Sequence, residues 1–244
     1  MAPLIRMGLK RLEYRGYDSV GIATIHEGVV HVRKDRGKID EVAGSLRFDE
    51  MPGSIGVGHT RWATHGAPMM VNAHPHTDCG GRIAVVHNGV IENVLELKEE
   101  LMNNGHNFAS KTDTEVIAHL IEEELRGDIG PREALLRAAR RLEGSYAIAV
   151  VSSIDPGRIY CARNESPLVL GVSDSGVFCA SDVPAVLPYT NRVAWLRNGE
   201  AAVLSVDGFE VVRIEDGSPV DREVTEVTWS LEMAEKQGYP HFML

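Results

Sequence analysis

The chain has 244 residues, 43% of them hydrophobic and 25% charged, which is enough apolar sequence for one large core or two small ones. Its formal net charge of -10 at pH 7 argues against a nucleic-acid partner and against binding to an anionic membrane surface. The three cysteines form no CxxC pair and leave an odd count, so we expect a reduced, cytoplasmic setting, and no apolar stretch approaches the length of a membrane span.

The first part of the chain predicts two helices, a hairpin and two buried strands. Leucine and isoleucine recur at helical spacing after Pro3, and Glu27-Gly28 is typical of a hairpin turn. The predicted elements are, in order, a helix at 2–13, strands at 21–25 and 29–33, a short helix at 39–46, and strands at 55–58 and 83–86.

Three further helices are predicted in the middle of the chain. Asn93 is suited to cap a helix that ends near Asn103, with Gly105 just beyond its end. Thr112-Asp113-Thr114-Glu115 has the spacing of a capping box, in which a hydroxyl and a carboxylate satisfy the first backbone N–H groups of a helix. Apolar residues at 116–121 continue that helix, and a third is predicted from Pro131 to Leu142.

From residue 145 onward the pattern changes to short β-rich runs separated by Gly, Pro, Asn or Asp. They predict strands at 146–152, 158–162, 168–172, 177–180, 193–196, 201–206 and 209–214. Residues 215–227 are acidic and poor in apolar side chains, so we interpret them as a surface connection. The predicted order is strands, then helices, then strands, and it lacks regular βαβ alternation. This order favours an α+β fold with antiparallel sheets over a doubly wound fold.

Residues 59–93 hold more groups able to bind a small polar substrate than any other stretch. Arg61 offers a planar fork of donors suited to a carboxylate. Asn88-Gly89 follows an apolar strand, where an amide and a backbone N–H are suited to face a developing oxyanion. Histidines near pH 7 supply neutral donors and acceptors, and the stretch contains His65, His74, His76 and His87.

Several motifs occur in a characteristic order. They are Leu12-Glu13-Tyr14-Arg15-Gly16-Tyr17-Asp18-Ser19, His59-Thr60-Arg61-Trp62-Ala63-Thr64-His65-Gly66, Asn72-Ala73-His74-Pro75-His76, His87-Asn88-Gly89, Thr112-Asp113-Thr114-Glu115 and Gly238-Tyr239-Pro240-His241-Phe242-Met243. Together they resemble the glutaminase domain of the glutamine–fructose-6-phosphate aminotransferases, the glucosamine-6-phosphate synthases. The resemblance implies the N-terminal-nucleophile fold, a four-layer αββα sandwich of two antiparallel sheets. It also implies a glutaminase domain over residues 1–227 and a linker over residues 228–244 towards a sugar isomerase domain that is absent here.

In this family, a cysteine at the first position of the mature chain attacks the side-chain amide of glutamine. The chain's own α-amino group acts as the base, and ammonia passes to the second domain. The present sequence begins Met1-Ala2-Pro3, within what resembles the family's first helix, so the first strand and its leading Cys-Gly are missing. We therefore expect the chain as written to be inactive, a fragment of an enzyme.

The resemblance assigns a role to each site residue. Asn88 and Gly89 would form the oxyanion hole. Arg61 would bind the α-carboxylate of glutamine, from a partly solvated position, and Asp113 its α-amino group. The other assignments are Trp62 at the gate towards the second domain, Thr64, His65 and His74 lining the pocket, and Arg15, Tyr17 and Asp18 near the nucleophile.

Each assignment has an ordinary structural alternative. Arg61 would otherwise be a surface arginine in a solvated pair, and Trp62 a half-buried packing residue. Asn88-Gly89 alone is typical of a type I′ turn. Asp113 would be a first-turn acid that interacts with the helix dipole.

Other functions remain open on the residues alone. They are the glutaminase domain of a phosphoribosyl-pyrophosphate amidotransferase, an inactive binding module of the same fold, and a metal-binding β-rich module based on His74, His76, Asp78 and Cys79. We expect no metal, because no matching second cluster follows, and no role for Cys79 as a substitute nucleophile. The resemblance implies no cofactor. It implies glutamine as the substrate and a homodimer for the full-length protein.

Overall fold

The structure is a computed structural model that describes residues 1–63 and 66–228. The helices in this part of the chain are α1 (Ala2–Leu12), α2 (Ile39–Ser45), α3 (Val94–Asn103), α4 (Thr114–Glu124) and α5 (Pro131–Arg141). The strands are β1 (Ser19–His26), β2 (Val29–Arg36), β3 (Ile55–Arg61), β4 (His76–Thr77), β5 (Ile83–Ile91), β6 (Gly144–Ser152), β7 (Asp155–Asn164), β8 (Val169–Ser173), β9 (Gly176–Ala180), β10 (Arg192–Trp195), β11 (Glu200–Ser205), β12 (Gly208–Arg213), β13 (Pro219–Val220) and β14 (Thr225–Glu226).

A seven-stranded antiparallel sheet, in the order β13-β12-β11-β7-β6-β5-β4, lies at the centre of the fold. Successive side chains of a strand point to opposite faces, and both faces of β6 are buried. Ile148 and Val150 pack with α3, α4 and α5 on one face, whereas Ala147, Ala149 and Val151 belong to the core on the other face. The continuous apolar run of β6 follows from this double burial.

Two smaller antiparallel sheets cover the second face of the large sheet. Their strand orders are β2-β1-β3 and β14-β10-β8-β9. Val57 of the first and Leu170 of the second share one apolar core with Ala149. Helices α1 and α2 cover the outer face of the three-stranded sheet. The layers are therefore helix, sheet, sheet and helix, as predicted, but the second sheet layer is formed by two separate sheets rather than one.

The packing of α1 on β3 requires a residue without a side chain in the strand. A Cβ atom at Gly58 would lie 2.5 Å from Cγ2 of Ile5 and 3.0 Å from Cδ1 of Leu9, both on α1. Glycine at this position lets the helix approach the strand backbone closely, and α1 thereby becomes one wall of the cavity described below.

Most predicted elements are present, including the hairpin, in which Glu27 and Gly28 both have positive φ values of 50° and 72°. The prediction of a capping box at the start of α4 was wrong. Asp113 is the residue before the helix and makes no side-chain cap bond, and the Glu115 carboxylate accepts instead from the N–H groups of Ala109 and Ser110.

The interpretation of residues 215–227 as a surface connection was wrong in part. Pro219–Val220 pairs with β12 and Thr225–Glu226 pairs with β10, so this segment completes the edges of two sheets. The predicted linker lies, apart from residue 228, outside the described residues. Within the described part of the chain, no helix has the length and apolar character needed to cross a lipid bilayer.

Candidate active site

A cavity of about 460 Å³ lies between the two smaller sheets. The edge strand β3 lines one side, the edge strand β9 lines the other, and α1 closes the outer wall. The wall is apolar along much of its length, with a polar group at one end. The polar end brings together predicted site residues from five segments of the chain, namely Arg15, Arg61, Trp62, His74, Asn88, Gly89 and Asp113.

Asn88 and Gly89 lie within strand β5, not in a turn. They pair with Ala147 and Tyr146 of β6, so the type I′ turn suggested by Asn-Gly alone does not form. The side chain of Asn88 is fixed by His59, whose Nε2 lies 2.8 Å from Asn88 Oδ1. Since Oδ1 can only accept, His59 donates, and the amide NH₂ of Asn88 remains as the donor for another group.

Gly89 has a backbone conformation that only glycine adopts without strain. Its φ is +127°, and a Cβ atom would lie 2.0 Å from the carbonyl oxygen of Ser145. The strand therefore continues past Asn88 with its backbone pressed against β6, and position 89 presents no side chain to the cavity. A bare backbone beside an oriented amide is the arrangement that an oxyanion hole needs.

Arg61 and Asp113 place opposite charges at the polar end of the cavity. Arg61, the last residue of β3, is 5% exposed, and Asp113 is 8% exposed. Burial lowers the pKa of Arg61, and the carboxylates of Asp113 and Asp18 oppose this effect. Asp113 Oδ2 accepts the N–H of Ile91 at 3.0 Å, which leaves most lone pairs of the carboxylate for other donors. The expectation that Arg61 is partly solvated was wrong.

A histidine network joins β5 to the start of α4 beneath these charges. The Thr114 hydroxyl lies 3.1 Å from His87 Nδ1 and 3.2 Å from His74 Nε2, and the ring of His74 stacks on that of His59 at 4.3 Å. Burial lowers the pKa of His59 to about 4 and also lowers the pKa values of His74 and His87. These rings are therefore neutral at pH 7 and act through hydrogen bonds rather than charge.

The segment after α1 supports the end of β3. Asp18 Oδ2 accepts the N–H of Ala63 at 2.8 Å. Tyr17 does not line the cavity, but its ring packs edge-on against Trp62 at 5.6 Å. Trp62 is 57% exposed, so packing against Tyr17 leaves more than half of its surface open to solvent. Arg15 lines the cavity and lies 3.4 Å from the Asp182 carboxylate.

Two of the predicted residues, Thr64 and His65, lie outside the described residues. Conversely, sequence reasoning left two residues of this site without a role, His59 and Thr114. A histidine at a strand end and a threonine at a helix start are common in proteins, so neither residue type stands out in the sequence. The contacts of His59 and Thr114 become visible only once β5 is paired with β6 and α4 is in position. His59 is the first residue of the motif that contains Arg61. Its position in that motif was the sequence feature that could have assigned it to the site.

Cys79 lies away from this cavity. It is not among the described residues that line the wall, and burial together with the Glu122 carboxylate raises the pKa of its thiol. A raised pKa disfavours the thiolate, which is the reactive form. His74 and His76 do not join it either, because their Nε2 atoms face the hydroxyls of Thr114 and Thr112.

The sandwich and this cavity indicate a class of protein, the amidotransferases. The sequence model of the glutamine amidotransferase domain family matches residues 59–188, and the chain belongs to this family.

Among individual proteins, the chain is 57% identical over 241 residues to the glutamine–fructose-6-phosphate aminotransferase (isomerizing) of Thermococcus kodakarensis, covering 99% of this chain and 40% of that protein. The enzyme of the same name from Methanothermobacter thermautotrophicus is 55% identical over 243 residues, covering 100% of this chain and 41% of that protein. The chain thus spans about two fifths of the length of these relatives.

A solved structure of similar fold is the glutamine phosphoribosylpyrophosphate amidotransferase from B. subtilis in complex with ADP and GMP. It has a TM-score of 0.76 and 26% sequence identity, and the match covers 87% of this chain and 46% of that chain. The likeness confirms the fold class predicted from the sequence.

Proposed function

We propose that this chain is the glutaminase part of a glutamine–fructose-6-phosphate aminotransferase, which releases ammonia from glutamine for the synthesis of glucosamine 6-phosphate. The observation that carries the proposal is the amide of Asn88, held by His59 beside Gly89, in one cavity with Arg61 and Asp113. The relatives at 55–57% identity over nearly the whole chain supply the substrate class.

The charges at the polar end suit a free amino acid. Arg61 offers a planar fork of donors to the α-carboxylate of glutamine, and Asp113 offers an anion to its α-ammonium group. The side-chain amide of glutamine then reaches towards Asn88 and Gly89. When a thiol attacks that carbonyl, negative charge develops on its oxygen, and the NH₂ of Asn88 with the backbone N–H of Gly89 stabilises it.

The thiol adds to the amide carbon, the amide nitrogen takes up a proton and leaves as ammonia, and a thioester remains. Water then cleaves the thioester, which gives glutamate and regenerates the thiol. We propose that the nucleophile is a cysteine at the first position of a strand that enters the cavity between β3 and β9. Both of these strands are sheet edges that line the cavity, and an extended segment between them would pair with two ladders.

Two other functions are less well supported. A phosphoribosyl-pyrophosphate amidotransferase has the same fold, but the identity to the solved example is 26%, against 57% to the aminotransferase relative. An inactive binding module would not need Gly89 to press against Ser145 or His59 to orient an amide. We also propose a cytoplasmic location and, for the full-length protein, a homodimer with a C-terminal sugar-phosphate isomerase domain.

The test compares three purified chains in a glutamine hydrolysis assay that measures glutamate. The first chain begins at Met1, the second carries an added strand that begins with Cys-Gly, and the third carries the same strand with Ser in place of Cys. We expect activity only in the second chain. Equal activity in the first or the third would show that the first-position thiol is not the nucleophile. Inactivity of all three, with glutamine binding absent by calorimetry, would refute the glutaminase function.

A further inference from the structure

A second group of chemistry-bearing side chains lies on the helical side of the large sheet. Cys79 from the loop between β4 and β5, His106 from the loop after α3, and His119 and Glu122 from α4 each direct one potential ligand atom to a common point. These four atoms all lie within 4.8 Å of one another. We call these residues the Cys-His-His-Glu cluster.

Four separations between the ligand atoms, from 3.0 to 3.7 Å, lie close to the edges of a small tetrahedron. The Cys79 sulphur lies 3.7 Å from His106 Nδ1 and 3.5 Å from His119 Nδ1. Glu122 Oε2 lies 3.0 Å and 3.2 Å from the same two nitrogens. Tetrahedral Zn²⁺, with bonds of about 2.3 Å to sulphur and about 2.0–2.2 Å to nitrogen and oxygen, separates its ligand atoms by about 3.3–3.6 Å.

The outer nitrogen of His106 faces a carboxylate within hydrogen-bond distance, as in histidine ligands of metals, whereas the outer nitrogen of His119 lies beyond hydrogen-bond distance of its nearest carboxylate. His106 Nε2 lies 2.8 Å from Glu123 Oε2, and His119 Nε2 lies 3.8 Å from Glu115 Oε1. A neutral histidine that gives Nδ1 to a metal keeps its proton on Nε2 and donates it to such a carboxylate. Without a metal, His106 would face a carboxylate with each ring nitrogen while its side chain is fully buried.

The local backbone holds the ligands in place before any ion arrives. Asp78 Oδ1 accepts the N–H groups of Arg82 and Ile83, which fixes the loop that carries Cys79. His106 follows Gly105, whose φ is 91°, and its N–H bonds to the carbonyl of Leu101, so it closes the end of α3. His119 and Glu122, three residues apart, lie on the same face of α4.

We propose that Cys79, His106, His119 and Glu122 bind one Zn²⁺ ion in a structural site. Four protein ligands fill a tetrahedral shell and leave no position for water or substrate. The mixture of sulphur, imidazole and a single carboxylate suits zinc better than magnesium or calcium, which prefer oxygen ligands alone. Three ligands are buried, and Cys79 at the rim is exposed, which gives the ion a way in.

Such an ion would clamp three segments that otherwise meet only through weaker contacts. The loop with Cys79 leads directly into β5, which carries Asn88, and α4 begins directly after Asp113. The ion would therefore hold β5, which carries the proposed oxyanion residues, in a fixed position relative to α4. The carboxylate of Asp113, proposed to bind the ammonium group of glutamine, directly precedes α4. The proposal does not depend on the glutaminase function, because it rests on the geometry of the cluster alone.

The test measures metal binding by the chain as it stands, with Zn²⁺ and Co²⁺ as probes. We expect the chain purified without chelator to contain about one zinc per molecule by mass spectrometry of the metal. Co²⁺ added after removal of zinc should give a thiolate-to-cobalt absorption band and the visible bands of a tetrahedral ion. Zinc should also raise the melting temperature of the stripped protein.

Two variants and one matched control assign the ligands. Cys79→Ser should abolish the thiolate-to-cobalt band, whereas Cys161→Ser, which removes another thiol, should leave it unchanged. Glu123→Gln keeps all four ligands and should weaken zinc binding by roughly 10-fold, at the low end for an outer hydrogen-bond partner. A stripped wild-type chain that shows no thiolate-to-cobalt band at saturating Co²⁺ would overturn the proposal, as would a band that persists in Cys79→Ser. These optical measurements require no activity assay. If a variant fails to fold, the cobalt spectrum of the wild-type chain alone can still overturn the proposal.

Discussion

His59 and Asn88 are joined by a hydrogen bond of 2.8 Å that fixes the direction of the Asn88 amide. The two residues lie on different strands, β3 and β5, in different sheet layers. Because the ring of His59 is neutral and donates from Nε2, the amide oxygen is engaged and the NH₂ group is directed elsewhere. The NH₂ group of Asn88, which we propose as an oxyanion donor, is thus oriented by the protein itself.

The first prediction concerns this hydrogen bond in the chain extended by a Cys-Gly strand. His59→Leu should lower kcat for glutamine hydrolysis by about 10–100-fold, somewhat less than the loss of a whole oxyanion donor. KM should change little, because His59 does not contact the charged groups of glutamine in our proposal. His59→Gln, which retains an N–H donor, should recover part of the loss. Equal kcat values for His59→Leu and wild type would show that the bond is only structural.

The second prediction concerns Asp113. Asp113→Asn can still accept the N–H of Ile91, so the melting temperature should change little. The loss of a charged hydrogen bond to the α-ammonium group should weaken glutamine binding by roughly 1.5–3 kcal/mol. Steady-state kinetics and a thermal melt of the same preparation separate the two effects. An unchanged KM would retire the assignment of Asp113 to substrate binding.

The third prediction concerns Arg61. Arg61→Lys keeps the charge but removes the paired donors, so glutamine binding should weaken by roughly 1.5–3 kcal/mol. Because Arg61 is buried, we also expect some loss of stability. Glutamine analogues without the α-carboxylate provide the control, since they should bind wild type poorly and be nearly indifferent to the substitution. If these analogues lose affinity as much as glutamine does, Arg61 acts through the fold rather than on the carboxylate.

The fourth prediction concerns pH and uses the chain as it stands. Burial lowers the pKa of His59 to about 4, whereas in the unfolded chain it has its ordinary value near 6.5. Between these values the unfolded chain binds a proton that the folded chain does not, so the free energy of unfolding falls as the pH falls from about 6.5 to about 4. The stability is fully present above this window.

The measurement is the free energy of unfolding by denaturant as a function of pH, for wild type and for His59→Gln. The variant has no ring to titrate at position 59, so its pH dependence in this window should be weaker. His26→Gln, which removes an exposed histidine on the same sheet, is the matched control and should follow wild type. Parallel curves for wild type and His59→Gln would contradict the pKa shift.

Sequence reasoning located most of the fold because its signals are local. Pro3 and Pro131 start helices, Glu27-Gly28 makes a hairpin turn, and apolar runs mark the strands. It failed where the path of a loop decides which groups a side chain meets. Glu115 was expected to cap its own helix, but it bonds to Ala109 and Ser110 because the loop before α4 folds back over it.

The site was predicted in part for the same reason. Arg61, Asn88 and Asp113 belong to motifs, and the structure brings them to one cavity. The residues Asn88-Gly89 alone favoured a type I′ turn, the family resemblance favoured the oxyanion site instead, and pairing with β6 excludes the turn. The Cys-His-His-Glu cluster was missed because its members come from three segments, and spacing along the chain does not reveal such a meeting.

The exposed indole of Trp62, packed edge-on against Tyr17 at the cavity, has a practical consequence. Emission from an indole in water shifts to shorter wavelength when another group covers it. Intrinsic fluorescence therefore reports directly on whether the mouth of the cavity is covered. The sequence contains two other tryptophans, the exposed Trp195 and Trp229, which lies outside the described residues, so a chain with Trp195→Phe and Trp229→Phe would emit from Trp62 alone. The aromatic pair thus gives the protein a built-in optical probe of occupancy, without any added label.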